Sequence, residues 1–197
     1  MKISKKNWIA FYLLSCITVF AQSQTNTIIV YVNSNTGKDN AIGTKENPLK
    51  SLPEAANRVN KMIGEGSIEV VISSGTYALS ETAAFNPVNW KFSEQNRLIV
   101  RAEILPDSSD WTPATMPIIV STMPFSVETN EKKEVTGGSN YGILIESSHV
   151  TIQGLRILGE PVHEKPSEGV LIRNYPIVWE GKKLSDFRVT QCLFLGN

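Results

Sequence analysis

The chain has 197 residues, 41% of them apolar, with 19 Lys and Arg against 19 Asp and Glu. That length carries one or two domains with a sizeable core. Balanced charge argues against a nucleic-acid binder, and two cysteines are too few for a disulfide-stapled scaffold.

Residues 1–21 read as a secretory signal peptide. Lys2, Lys5 and Lys6 precede an apolar run from Trp8 to Phe20, and Val19-Phe20-Ala21 offers a cleavage site. The run is shorter than the roughly 20 residues of a membrane span, so no span is predicted. The expected location is secreted, periplasmic or on the cell surface. Leu13-Leu14-Ser15-Cys16 weakly resembles a lipoprotein processing site, but the apolar run continues past Cys16 and favours ordinary cleavage. Cleavage removes three Lys and no acid, leaving 16 basic against 19 acidic residues. It also removes Cys16, so Cys192 has no partner for an intramolecular disulfide.

Residues 28–32 read as an opening strand, followed by a turn-rich segment over 33–48. Ser51-Leu52-Pro53-Glu54 has the form of a helix capping box. Leu52, Ala55, Ala56, Val59 and Ile63 then share one helical face, and Gly64 and Gly66 close the helix. Residues 68–72 form a strand with Ile68, Val70 and Ile72 on one side, and 74–77 turn the chain. Short strands at 98–100 and 117–120 flank an irregular loop, 103–116, which holds Pro106 and Pro113.

A repeat is the clearest signal. Val150, Ile152, Leu155 and Ile157 match Phe187, Val189, Cys192 and Phe194, each 37 residues on. Each stretch alternates, skips one residue and alternates again. That pattern gives two short strands around a tight bend, with their apolar sides facing one core. Repetition of such a unit is the signature of a solenoid. A second match sets Tyr141-Gly142-Ile143-Leu144-Ile145-Glu146 against residues 168–173, 27 on, and supplies a third strand per turn. The unequal spacings then require 174–186 to swell as a loop, where the preceding turn has only Ser147-Ser148-His149. An amphipathic helix ahead of such a stack would cover its open end.

Four segments carry a resemblance: Tyr31-Val32-Asn33 with Gly37-Lys38-Asp39-Asn40 and Gly43-Thr44; Pro48-Leu49-Lys50-Ser51-Leu52 with Glu54-Ala55; Gly75-Thr76-Tyr77; and residues 150–159. Together they resemble the N-terminal portion of the right-handed parallel β-helix proteins, the pectate-lyase-like superfamily. The resemblance implies an all-β fold, a right-handed parallel β-helix with an N-terminal capping α-helix, with 22–197 as the cap and first coils. No closing element follows the last repeat, which leads us to expect part of a longer protein or a truncated product. The superfamily holds polysaccharide lyases, glycoside hydrolases, epimerases, tailspikes and adhesins, and a shared fold does not transfer a reaction. Two readings follow. One is an exported carbohydrate-active protein, lyase-like or hydrolase-like in its complete form, with a polysaccharide as partner. The other is a non-catalytic surface or adhesion module. Lyases of the superfamily typically use calcium held by clustered acids, and hydrolases two or three carboxylates. No such cluster is legible here, so calcium is an expectation for a complete protein only, and this chain alone is expected to be inactive.

The candidate site residues are Arg173, Glu146, Trp179, Tyr175 and His163. In the 27-residue frame Glu146 and Arg173 point outward, one above the other, roughly 4.8 Å apart. They would form either a surface ion pair worth at most about 1 kcal/mol, or a cleft edge where Arg173 holds a sugar carboxylate. Tyr175 and Trp179, on the swollen loop, either stack on sugar rings or fold back over the coil. His163 beside Glu164 is either a proton-transfer pair or solvated. Asp39, near Asn35 and Asn40, either binds calcium weakly or holds a turn. His149 reads as structural, Cys192 as a small core residue, and Gln153 with Gln191 as a hydrogen-bonded ladder between turns.

Overall fold

The computed structural model describes residues 27–159 and 169–196. The signal-peptide segment and His163 lie outside the described residues. In chain order the elements are β1 (Thr27–Val32), α1 (Leu52–Asn60), β2 (Gly64–Glu65), β3 (Ser67–Ile72), β4 (Thr76–Leu79), β5 (Ala83–Phe85), β6 (Trp90–Lys91), β7 (Leu98–Ala102), β8 (Ile118–Ser121), β9 (Ser126–Thr129), β10 (Val135–Ile145), β11 (Val150–Gln153), β12 (Arg156–Leu158), β13 (Leu171–Trp179), β14 (Phe187–Thr190) and β15 (Leu193–Leu195).

The protein is mostly β, built on parallel sheets. The first sheet runs β1-β3-β7-β11-β14, the second β4-β8-β12-β15 and the third β5-β10-β13. Every pairing within these three is parallel. From β3 onward the chain visits first, second and third sheet in turn, and each visit lays a strand beside its predecessor. Two additions depart from this plan: β9 pairs antiparallel with β10, and β2 pairs with β6. No helix among the described residues is long and apolar enough to cross a membrane.

The 37-residue repeat is a strand register. Val150 pairs with Phe187, Ile152 with Val189, and Ile157 with Phe194. Across the bend the Leu193 amide donates to the Leu155 carbonyl at 2.9 Å. The bend needs a left-handed residue in both turns, supplied by Gly154 (φ 74°) in one and Gln191 (φ 55°) in the next. A side chain on Gly154 would also meet Leu105 Cδ2 at 2.8 Å and Ala102 Cβ at 3.1 Å. The Gln ladder forms, Gln153 Nε2 donating to Gln191 Oε1 at 2.7 Å. Leu155 is fully buried, whereas Cys192 is half-buried against the same core. Burial pushes the Cys192 thiol up.

The 27-residue match is not a register. Tyr141 pairs with Tyr175, Ile143 with Ile177 and Ile145 with Trp179. Gly142 therefore faces Pro176 rather than Gly169, its missing Cβ leaving room for the Pro176 carbonyl. The expected loop 174–186 is thus strand as far as Trp179. Ile177 fills the inward slot above Ile143, and that inward column, not the likeness of the two Gly-containing strings, selects the pairing.

Helix α1 starts where Ser51 caps it, the Glu54 amide donating to Ser51 Oγ at 3.3 Å. The second half of the capping box does not form, because the Glu54 carboxylate turns to Asn57 and Arg58. Leu52, Ala55, Ala56 and Val59 bury one face. The helix stops at Asn60, so Ile63 falls outside it and is 80% exposed, and Gly64 belongs to β2. The last helical residue, Asn60, binds the free edge of β5: its Nδ2 donates to the Ala84 carbonyl at 2.8 Å, and its Oδ1 accepts from the Asn86 amide at 2.7 Å. One amide side chain thereby takes the place of a missing strand.

Candidate functional site

The corner between the second and third sheets is concave. Three depressions of about 360, 360 and 310 Å³ follow one another along it. The first lies between Lys50 and Leu52 of the cap and strand β4, and shares Asp39 and Ser51 with the second. The second runs under Asn57 and Asn60 of α1 to Glu81 and Thr82 in the β4–β5 link, and Thr82 also lines the third. The third is walled by Met123 and Pro124 on one side and by Ser139, Asn140 and Tyr141 of β10 on the other. A hydrogen bond from Thr82 Oγ1 to the Tyr141 carbonyl, 2.9 Å, ties the two turns together at this point.

The second depression is mostly hydroxyl, amide and carboxylate, whereas apolar side chains share the walls of the other two. Two of the carboxylates already have work in the fold. Asp39 Oδ1 accepts from the amides of Lys50 and Ser51 at 3.0 and 2.9 Å and so fixes the approach to α1. The Glu54 carboxyl sits below its ordinary range, first through the hydrogen bond from Asn57 and then through Arg58. Glu81 is exposed, and among the described residues no hydrogen bond or ion pair engages it. Asp39 therefore holds a turn, the second of the two readings above. No group of three His, Cys, Asp or Glu among the described residues could hold a metal ion.

The four candidate residues that are described, Arg173, Glu146, Tyr175 and Trp179, do not converge. Arg173 stands on β13 beside Ser139 and is paired with both carboxylate oxygens of Glu128 at 3.2 Å, not with Glu146. Glu146 directly follows β10, its amide bonded to the Phe85 carbonyl at 2.9 Å; the amide of Glu180, on the next turn, donates to Ile145 at 3.1 Å. Tyr175 lies edge-on to Tyr141, ring centroids 5.4 Å apart. Trp179 folds back: it stacks on Phe187 at 5.4 Å and donates its indole N–H to the Ser147 carbonyl at 3.1 Å. Arg173 and Trp179 are six residues apart on one strand, about 20 Å.

An ionic cluster around the buried Arg97 escaped the sequence reading. Arg97, 7% exposed, donates to Thr151 Oγ1, to the Val150 carbonyl and to the backbone and carboxylate of Asp186. His149 Nδ1 lies 3.0 Å from the same carboxylate, and Arg188 Nε donates to it at 2.9 Å. Arg97 first, and His149 next, hold the Asp186 carboxyl far below the usual carboxylate range. A signal for it existed. His149 and Asp186 occupy equivalent places in the 37-residue repeat, both with left-handed backbone, φ 58° and 60°. The cluster clasps three successive turns, so the structural reading of His149 stands.

No family model matches the chain, and the comparison with curated proteins returns no match. Among solved structures the chain is similar to a GH136 lacto-N-biosidase from Eubacterium ramulus, in its selenomethionine derivative. The TM-score is 0.55 at 15% identity, over 85% of this chain and 27% of that one. Against the native crystal of that protein the TM-score is 0.44 at 18% identity, over 85% and 30%. The chain thus spans little more than a quarter of the length of that enzyme. At this identity the likeness bears on the fold alone.

Proposed function

We propose that this chain is the carbohydrate-binding N-terminal portion of an exported right-handed parallel β-helix protein, and that the corner trough is where the glycan lies. The observation that carries the reading is the trough itself. It crosses two successive turns, combines hydroxyl, amide and acid groups with apolar surface, and has two aromatic residues in its wall, Tyr77 and Tyr141. Sugars are recognised by that combination of hydrogen-bonding groups and an amphipathic ring. The three sheets visited in constant order support the β-helix reading, and the likeness in fold to a protein named as a GH136 lacto-N-biosidase supports a carbohydrate-active one. The inward positions of the last turn also fit further coils stacking on them: Val189 is 42% and Phe194 43% exposed, where Ile152 and Ile157 one turn below are 0% and 1%.

Within this portion the role is binding rather than turnover: Asp39 and Glu54 are committed to the fold, which leaves Glu81 as a single unengaged carboxylate among the acids lining the trough. That is also what favours the non-catalytic module as a second reading. Affinity electrophoresis of the purified protein through gels holding soluble polysaccharides tests the binding. We expect at least one polymer to retard it, and Tyr141→Ala and Asn57→Ala to abolish the retardation while the circular dichroism is unchanged. Unimpeded migration in every gel overturns the reading.

A further inference from the structure

Resting on that reading, we infer that the glycan held in the trough is neutral, built from sugars without carboxylates. The charges decide it. Asp39, Glu54 and Glu81 face the middle of the trough, and Lys50 is the only basic residue among the described ones that line the three depressions. A polyuronate carries one carboxylate per sugar and would meet those three acids along its length. The third depression, lined by Thr82, Met123, Pro124, Ser126, Ser139, Asn140 and Tyr141, has no charged side chain.

The one arginine suited to a sugar acid is already occupied. Arg173 faces both oxygens of Glu128, so its guanidinium meets a carboxylate the protein itself provides. Recruiting it to a uronate would leave Glu128 without its partner. Arg58, the nearest base to the acidic stretch, is likewise turned onto Glu54 and the Asp39 carbonyl. Lys50 has no ion pair among the described residues, so Lys50 and Arg58 against Asp39, Glu54 and Glu81 leave a surplus of one negative charge. A neutral chain pays no such repulsion and still finds hydroxyl, amide and carboxylate acceptors for its own hydroxyls.

The consequence reaches the reaction class of any complete protein. β-Elimination removes the proton beside a uronate carboxylate, so a trough that repels uronates serves a lyase only where a cation such as calcium bridges its acids to the substrate. It does serve binding or hydrolysis of neutral glycans.

Isothermal titration of the purified protein with cellohexaose, xylohexaose, mannohexaose and hexagalacturonate tests this. We expect at least one neutral hexasaccharide to bind at least about tenfold more tightly than hexagalacturonate, with an affinity unchanged between about 20 and about 500 mM sodium chloride. Glu81→Lys is expected to narrow that gap severalfold, and the narrowing to fade at the higher salt. Hexagalacturonate binding as tightly as the neutral probes, or more so, overturns the inference while leaving a carbohydrate-binding protein. Binding of none of the four, together with free migration in every polysaccharide gel, overturns the carbohydrate reading itself and the inference with it.

Discussion

Asp186 shows how a single carboxylate can hold several layers. It touches Arg97 from an earlier turn, His149 from the turn below and Arg188 from its own strand. Its folded-state pKa is depressed, so its contribution to stability is complete above the unfolded value near 3.9 and disappears as pH falls through the folded one. We expect the melting temperature to fall on acidification below about pH 4, and Asp186→Asn to lower it at neutral pH while flattening that acid limb. Thermal melts of both proteins across the acid range measure it; parallel curves would refute the assignment. Gly154 is a second such residue. Its φ of 74° and the approach of Leu105 and Ala102 leave no room for a methyl group. Gly154→Ala is expected to cost about 1–3 kcal/mol in urea unfolding.

At the scale of elements, the strand edges at the cap end are answered by different devices. The Tyr31 and Asn33 amides of the β1 region bond to the carbonyls of Gly43 and Leu49 in the loop beside it, at 2.8 Å each. Among the described residues, the edge of β5 takes its side-chain hydrogen bonds from Asn60. Asn60→Ala leaves a carbonyl and an amide of that edge without their partner and is expected to cost about 1–3 kcal/mol. Faster hydrogen exchange at the Asn86 amide should accompany it; unchanged protection there would contradict this role. The helix itself was legible from Ser51 and the spacing of Leu52, Ala55, Ala56 and Val59. Its end was not, because Ile63 continues the apolar spacing although the chain has already left the helix. The third-sheet register was misread for a related reason. Two strings of similar composition, one around Gly142 and one around Gly169, suggest a pairing. In the fold the strand slides seven residues further, so that Ile177 can fill the core.

Over the whole molecule, burial changes along one inward column. Ile152 and Val189 are equivalent in the repeat, yet among the described residues one is sealed by strands on both sides and the other is covered on one side. In this chain Ile152→Ala is expected to cost about 2–5 kcal/mol, whereas Val189→Ala should stay within about 1 kcal/mol. Chemical denaturation of the two variants compares them. Equal losses would mean that Val189 is covered by something the described residues do not include.

The sequence by itself determined the parallel stacking of the 150–159 and 187–196 stretches, the cap helix and the need for a bend at Gly154. These follow from local periodicity and backbone conformation, which a linear pattern records. Only the tertiary structure decided the register of β13, the pairing of Arg173 with Glu128, the clasp around Asp186 and the trough at the sheet corner. Each of those depends on which residues distant in the chain come to lie side by side. That is settled by filling one shared core and satisfying buried charge, quantities that no single segment contains.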